Sequence, residues 1–216
     1  MKSVLIIGMG AFGRYLAEKM QALGNDVMVV DRCPEIIDEL SPIFSDAQIG
    51  DPTNELTIRD LGVSNFDIVF VTIGEDFHSS LVISLLLKRY GAKKVVAKAA
   101  TEIQEELLKK IGVDEVIFPE REMAEKMAVR FNAENIFDFI QLTGEYSIYE
   151  IPVPPDWIGK TIADVAVRNK YRINIIAIKT GEVLSPIPGP AYVFSDVDQL
   201  VVIGKPNDVF KLSARK

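Results

Sequence analysis

The hydrophobic positions of residues 1–118 follow two alternating rhythms. Short apolar runs rich in Val and Ile stand at Val4–Ile7, Asp26–Val30, Ala47–Ile49, Ile68–Ile73, Lys94–Ala97 and Glu115–Phe118. Most are apolar throughout rather than alternating, which is the pattern of strands buried on both faces. The stretches between them carry helical spacing. Leu16, Met20 and Leu23 fall at i, i+4 and i+7, and Leu81, Leu85 and Leu86 share a face ahead of Gly91. Strand and helix in alternation predict an α/β domain, a doubly wound parallel sheet with helices on both faces.

After Pro119 the rhythm changes. The spacing predicts one longer helix over 120–140, with Met123, Ala124, Met127, Ala128 and Phe131 on a stripe that Ile136, Phe137, Phe139 and Ile140 continue. Such a stripe either packs on its own sheet or forms part of an oligomer interface. Residues 145–216 read as a small α+β unit with strands at Tyr146–Val153, Ile173–Ile178 and Leu200–Ile203. Pro152–Pro155 is a rigid turn and Ser185–Pro190 a loop. A short helix is expected from Thr161 to Val167, with Thr161 as N-cap and Asp164 three residues on. The division implied is a first domain of residues 1–140 and a second of residues 141–216.

Charge and composition narrow the function. A net charge of −7 argues against non-specific nucleic-acid binding, which needs a basic face. Cys33 and His78 are the sole cysteine and histidine, so neither an internal disulfide nor a Cys/His metal framework is available. This fits a reducing, cytosolic home. The apolar run at the amino terminus is too short for a signal peptide, and no segment approaches the ~20 apolar residues of a membrane helix.

Gly8-Met9-Gly10-Ala11-Phe12-Gly13 is a G-x-G-x-x-G that follows a strand-like run and opens a helix-like run. That context makes it a Rossmann nucleotide loop. Gly8 permits the tight turn, Gly10 lets backbone approach a pyrophosphate, and Gly13 lets helix pack on strand. Asp31 follows the second strand, where a carboxylate accepts ribose hydroxyls and repels a 2′-phosphate; Arg32 beside it offsets part of that charge. Asp51-Pro52, Thr72-Ile73-Gly74-Glu75 and Lys98-Ala99-Ala100 follow later strands and belong to the same crevice. Asp51 reads an adenine amine or a sugar there, and Lys98 meets phosphate, unless each is a cap or loop charge. Glu120 either binds a metal cation that bridges to phosphate or simply favours a helix N-terminus.

Catalytic chemistry is hard to find. A dehydrogenase needs an acid or base at the hydride, and His78 just past the fourth strand is better suited to an exposed or capping role. No G-x-S-x-G, Walker A motif or metal triad occurs. The residues describe a nucleotide pocket without evident chemistry, which can act as a sensor. The alternatives are a small NAD-linked oxidoreductase and a stand-alone nucleotide-binding module.

The Gly8–Gly13 loop, Asp31, Gly50-Asp51, Ile73-Gly74, Lys98-Ala99 and Pro119-Glu120 together resemble the RCK (regulator of potassium conductance) family. The likeness is closest to cytosolic regulatory subunits of Trk/Ktr potassium uptake systems. Trp157–Asp164, continuing through Arg168 to Asn174–Ile178, resembles the RCK carboxy-terminal domain. The resemblance implies an octameric ring, built of dimers, docked at the inner face of the membrane on a potassium-translocating subunit. ATP against ADP, or NAD(H), would gate potassium flux. It places Asp31 on ribose, Asp51 and Pro52 beside adenine, and Ile73, Gly74 and Glu75 around base and sugar. Lys98, Ala99, Ala100 and Gln104 would lie near phosphate, with Glu120 on a cation. ATP-sensing members carry a loop arginine where this chain has Ala11. Arg14 lies on the helix instead, which leaves room for NAD(H) or AMP. Some members bind cyclic di-AMP, for which Ile162, Arg168, Ile173 and Asn174 are the matching positions.

Overall fold

The computed structural model describes residues 1–132 and 136–213. The chain forms two compact units that divide between Arg121 and Glu122. In the first unit strands β1 (Ser3–Ile7), β2 (Asp26–Asp31), β3 (Asp46–Ile49), β4 (Ile68–Val71), β5 (Val95–Lys98) and β6 (Glu115–Ile117) are joined by helices. These are α1 (Ala11–Ala22), α2 (Pro34–Leu40), α3 (Glu55–Asp60), α4 (Phe77–Arg89) and α5 (Glu102–Lys110). All neighbouring strands are parallel, in the order β3-β2-β1-β4-β5-β6. This is the expected Rossmann sheet, whose strand order reverses beside β1.

The continuous apolar runs are explained by burial on two faces. Leu5 and Ile7 face one core with Val69, Val71, Ile83 and Leu87. Val4 and Ile6 face the other with Met9, Ala17, Val29 and Phe44. Helices α4 and α5 start where the side-chain oxygens of Asp76 and Thr101 accept the backbone N–H groups of Ser79 and Gln104.

Helix α6 (Pro119–Asn132) begins at a proline, as the first helical position allows. The division between the units falls inside it. The helix expected over 120–140 does not continue. Residues 133–135 lie outside the described residues, and Asp138–Gln141 form strand β7, antiparallel to β8 (Ser147–Pro152). Phe139 stacks on Tyr149 across that pairing, with ring centroids 6.0 Å apart. Four residues of mixed apolar character fit helical and extended periods equally, and the cross-strand contact decides between them.

The second unit holds a five-stranded antiparallel sheet in the order β10-β9-β11-β8-β7, with β9 at Asn174–Thr180, β10 at Val183–Pro186 and β11 at Asp198–Gly204. Two of these strands, β7 and β10, fall outside the three expected. Strand β10 also takes Ser185 and Pro186 from the expected loop. Thr161 caps α7 (Ile162–Val165) in a reciprocal capping box with Asp164, as its spacing suggests. Ala166 then breaks the helix in a left-handed conformation before α8 (Val167–Tyr171), and α9 (Pro206–Ser213) follows the sheet. Trp157 is fully buried against Tyr171 and Phe194, at centroid separations of 5.0 and 5.5 Å.

Asp198 is the buried charge of this unit, 3% exposed. Burial pushes its carboxyl up, but Thr180, the Ser195 N–H and the Tyr192 hydroxyl all donate to it and hold it below the usual carboxylate range. Its stabilising effect is therefore complete above the unfolded pKa of about 3.9 and fades as pH falls through the lower folded value. Replacing Asp198 with Ala strands three donors and is expected to cost about 2–4 kcal/mol at pH 7. Urea unfolding at pH 7 and pH 3 checks both points: the deficit of the variant should be large at the first pH and shrink at the second.

Candidate functional site

The site grows from the first turn after β1. Gly8 has φ 97°, where a side chain would be strained, and its N–H donates to Val30 O at 2.9 Å. Gly13, one turn into the fold of α1, is packed so closely that a Cβ on it would stand 2.1 Å from the Gly8 carbonyl oxygen. The Thr72 hydroxyl, at the end of β4, lies 2.6 Å from that same oxygen and 3.0 Å from Ile7 O. Helix α1 is thereby drawn against both β1 and β4, and its N-cap Gly10 carries no side chain that would fill the space above its free N–H groups.

Asp31 faces this loop from the end of β2. The Met9 N–H donates to one of its oxygens at 2.6 Å and the Cys33 N–H to the other at 2.9 Å. Two backbone donors fix the carboxylate's direction, and each oxygen keeps a lone pair for an incoming hydroxyl. Around them lies a cleft of about 360 Å³. Among the expected residues, Gly8, Gly10, Asp31, Arg32, Asp51, Pro52, Thr72, Ile73, Gly74 and Glu75 line it. Thr53, which follows the third strand beside Asp51 and Pro52, lines it as its place in the sequence suggests, and so do Cys33, Ile36, Asp76 and Ser79, which the sequence pattern did not single out for it. Asp76 caps α4, its side chain accepting from the Ser79 N–H. The Ser79 hydroxyl and N–H hold its carboxyl below its ordinary value. Asp51 likewise accepts from the Thr53 hydroxyl at 2.7 Å and N–H at 3.0 Å, which lowers its pKa and commits one oxygen to the turn.

The remaining expected residues lie beside the cleft rather than in its lining. Met9 is fully buried in the core and contributes its N–H; Ala11 and half-buried Phe12 open α1. Ala99 is a core residue, 1% exposed. The exposed Ala100 donates its N–H to Gln104 Oε1 at 2.7 Å. Lys98 is ion-paired with Glu120 in the first turn of α6, and this contact holds the Glu120 carboxyl below its ordinary value. His78 is exposed in the first turn of α4 and is absent from the lining.

Arg14 does not substitute for a loop arginine. Its Nε donates to Met9 O at 3.1 Å, and its guanidinium pairs with Glu39 at 2.9 Å. Arg32 is the cation that lines the cleft, loosely paired with Asp76 at 3.8 Å. No group of three His, Cys, Asp or Glu side chains suited to a metal occurs among the described residues.

A second cleft of about 480 Å³ lies in the second unit, lined by Ile162, Arg168, Asn174, Ile175, Pro188 and Pro190 among others. The Arg168 Nε donates to Asn174 Oδ1 at 2.7 Å. Ile173 does not line this cleft. It is 2% exposed in the core, packed over Gly204, where a Cβ would stand 2.7 Å from it, and Ile175 faces the cleft instead.

Residues 4–119 match the TrkA-N domain and residues 147–215 the TrkA-C domain. The chain belongs to the TrkA-N/TrkA-C family. Over 214 residues it is 36% identical to the Ktr system potassium uptake protein C of Bacillus subtilis (strain 168), covering 99% of this chain and 97% of that protein. The Ktr system potassium uptake protein A of the same organism is 33% identical over 208 residues, covering 96% and 94%. The GsuK RCK domain superposes with a TM-score of 0.70 at 19% identity, covering 99% of this chain and 48% of that one. The GsuK channel bound to NAD gives 0.67 at 20%, covering 96% and 38%. At these identities the two structures speak for the fold, and this chain spans less than half of each.

The close approach of Gly13 carries a test. Gly13→Ala forces α1 away from β1 and is expected to cost at least about 3 kcal/mol, read as a lower urea midpoint with the slope unchanged. Gly24→Ala, in open space at the end of α1 but at φ 80°, should cost less.

Proposed function

We propose that the protein is a nucleotide-sensing regulatory subunit of a potassium uptake system and does no chemistry of its own. The observation that carries this is the Asp31 carboxylate. It is held by the Met9 and Cys33 N–H groups at the rim of a cleft floored by the glycine loop. A ribose diol on Asp31 and a pyrophosphate over Gly8 and Gly10 satisfy both ends of that arrangement. The names of the Ktr relatives supply the potassium uptake system.

The nucleotide sits with its base between Asp51, Pro52 and Thr53, and its phosphates toward Gly74 and Lys98. Ala11 provides no cation in the loop and Arg14 is committed elsewhere. A pyrophosphate, as in ADP or NAD(H), therefore fits better than a γ-phosphate seeking an arginine. Glu120 alone, already paired with an ammonium, makes no cation site; a bridging metal would draw its other oxygens from the nucleotide. The cleft at Arg168 and Asn174 is the matching place for cyclic di-AMP, with Ile162 and Ile175 as its apolar walls.

The protein works at the cytoplasmic face of the membrane, as a ring of dimers docked on the translocating subunit. No helix among the described residues is long and apolar enough to cross a membrane itself. Gating requires only that nucleotide bind one of two conformations better.

Calorimetric titration with ATP, ADP, AMP, NAD⁺ and NADH tests this reading. At least one should bind, and Asp31→Ala should weaken it by at least about tenfold, the scale of a lost charge-assisted hydrogen bond. No binding by any of the five rejects a nucleotide sensor.

A further inference from the structure

Lys98 and Glu120 form an ion pair that belongs to neither the cleft lining nor the helix cap. Lys98 stands at the end of β5, with only 12% of its side chain exposed, whereas Glu120 is 66% exposed. The ammonium is one residue's thickness from the cleft: a Cβ on Gly74, which lines it, would stand 3.1 Å from Lys98 Nζ. Glu120 sits one residue into α6, the helix through which the chain leaves the first unit. The same ammonium therefore serves a carboxylate on the exit helix and borders the space where phosphate is expected.

We propose that Lys98 is an exchangeable counter-ion: a phosphate entering past Gly74 takes it from Glu120, and the first turn of α6 is released from β5. This rests on the nucleotide reading above. The ammonium has three donors, but one turned toward a phosphate past Gly74 is turned away from Glu120, so gain of phosphate weakens the α6 tether. The pair is cheap to break because its carboxylate is open to water. Ligand occupancy is thus converted into freedom of the helix that leads to the second unit. The base and ribose, held by Asp31 and Asp51, contribute affinity but no signal.

Trp157 is the only tryptophan and lies in the core of the second unit, so its emission reports that unit alone. The test is calorimetry and Trp157 emission with ADP and with adenosine, on the wild-type protein, E120Q and K98M. Adenosine has the base and ribose without the phosphates. E120Q removes the competitor and should bind ADP about three- to five-fold more tightly, the span of an exposed ion pair, with adenosine affinity unchanged. K98M should weaken ADP and leave adenosine unchanged. ADP, but not adenosine, should shift Trp157 emission in the wild type, and ligand-free E120Q should already show the shifted emission. If E120Q binds ADP no more tightly than wild type, or adenosine alone produces the full shift, the exchange is wrong while the nucleotide site stands. If the wild-type protein binds neither ligand, this proposal falls, while the nucleotide reading falls only if ATP, AMP, NAD⁺ and NADH fail as well.

Discussion

The contact on which the rest of the first unit depends is the absence of a single carbon atom. Because Gly13 has no Cβ, α1 lies against the Gly8 carbonyl, and Thr72 closes the same oxygen from β4. Helix start, first strand and fourth strand are thereby locked at the point where the sheet's winding reverses. The pocket is a by-product of that lock. The helix is too close for any side chain to stand between it and β1, so its free N–H groups face open space. Asp31 reads the loop directly, since the Met9 N–H it accepts belongs to the turn itself.

The two units solve the same packing problem differently. The parallel sheet buries two faces and needs two apolar layers, which is why its central strands read as runs rich in Val and Ile. The antiparallel sheet covers one face, and β8 and β11 alternate buried and half-buried residues along their length. Polar groups also differ in treatment. Asp198 is satisfied by three donors. The Trp157 indole nitrogen and the Ser80 and Ser84 hydroxyls are buried without a partner among the described residues. Each carries a desolvation cost that surrounding packing must offset.

What was legible in the sequence followed from backbone necessity. The glycine loop, Asp31 and the cap at Thr161 are residues whose chemistry is required by local geometry, and spacing alone exposes them. The four central strands of the first sheet were legible because double burial leaves a continuous apolar mark, whereas the edge strands β3 and β6 are largely open and were read from their place in the alternation of strand and helix. Strand β10 left no such mark, since all four of its residues are exposed and only hydrogen bonding to β9 makes it a strand. Strand β7 was lost in an apolar run that a helix also explains. At the end of β5 the position of the site was readable but the roles were not. Lys98 points to Glu120, Ala99 into the core and Ala100 to Gln104. Which neighbour meets the cleft depends on the pleat's phase, and three small or basic residues do not encode that phase.

The two edges of the antiparallel sheet are unlike each other. At β10 the ladder runs into Pro186, which has no N–H to offer, and then into Ile187, whose left-handed backbone at φ 55° turns the chain aside. A foreign strand laid along that rim would lose register within a few residues. The β7 rim has no such terminator: Asp138, Ile140 and Gln141 are exposed, and the strand lacks both proline and a bulge. The small unit is therefore one-sided in its capacity to be extended by another backbone, closed at the hairpin rim and open along the strand that follows the exit helix.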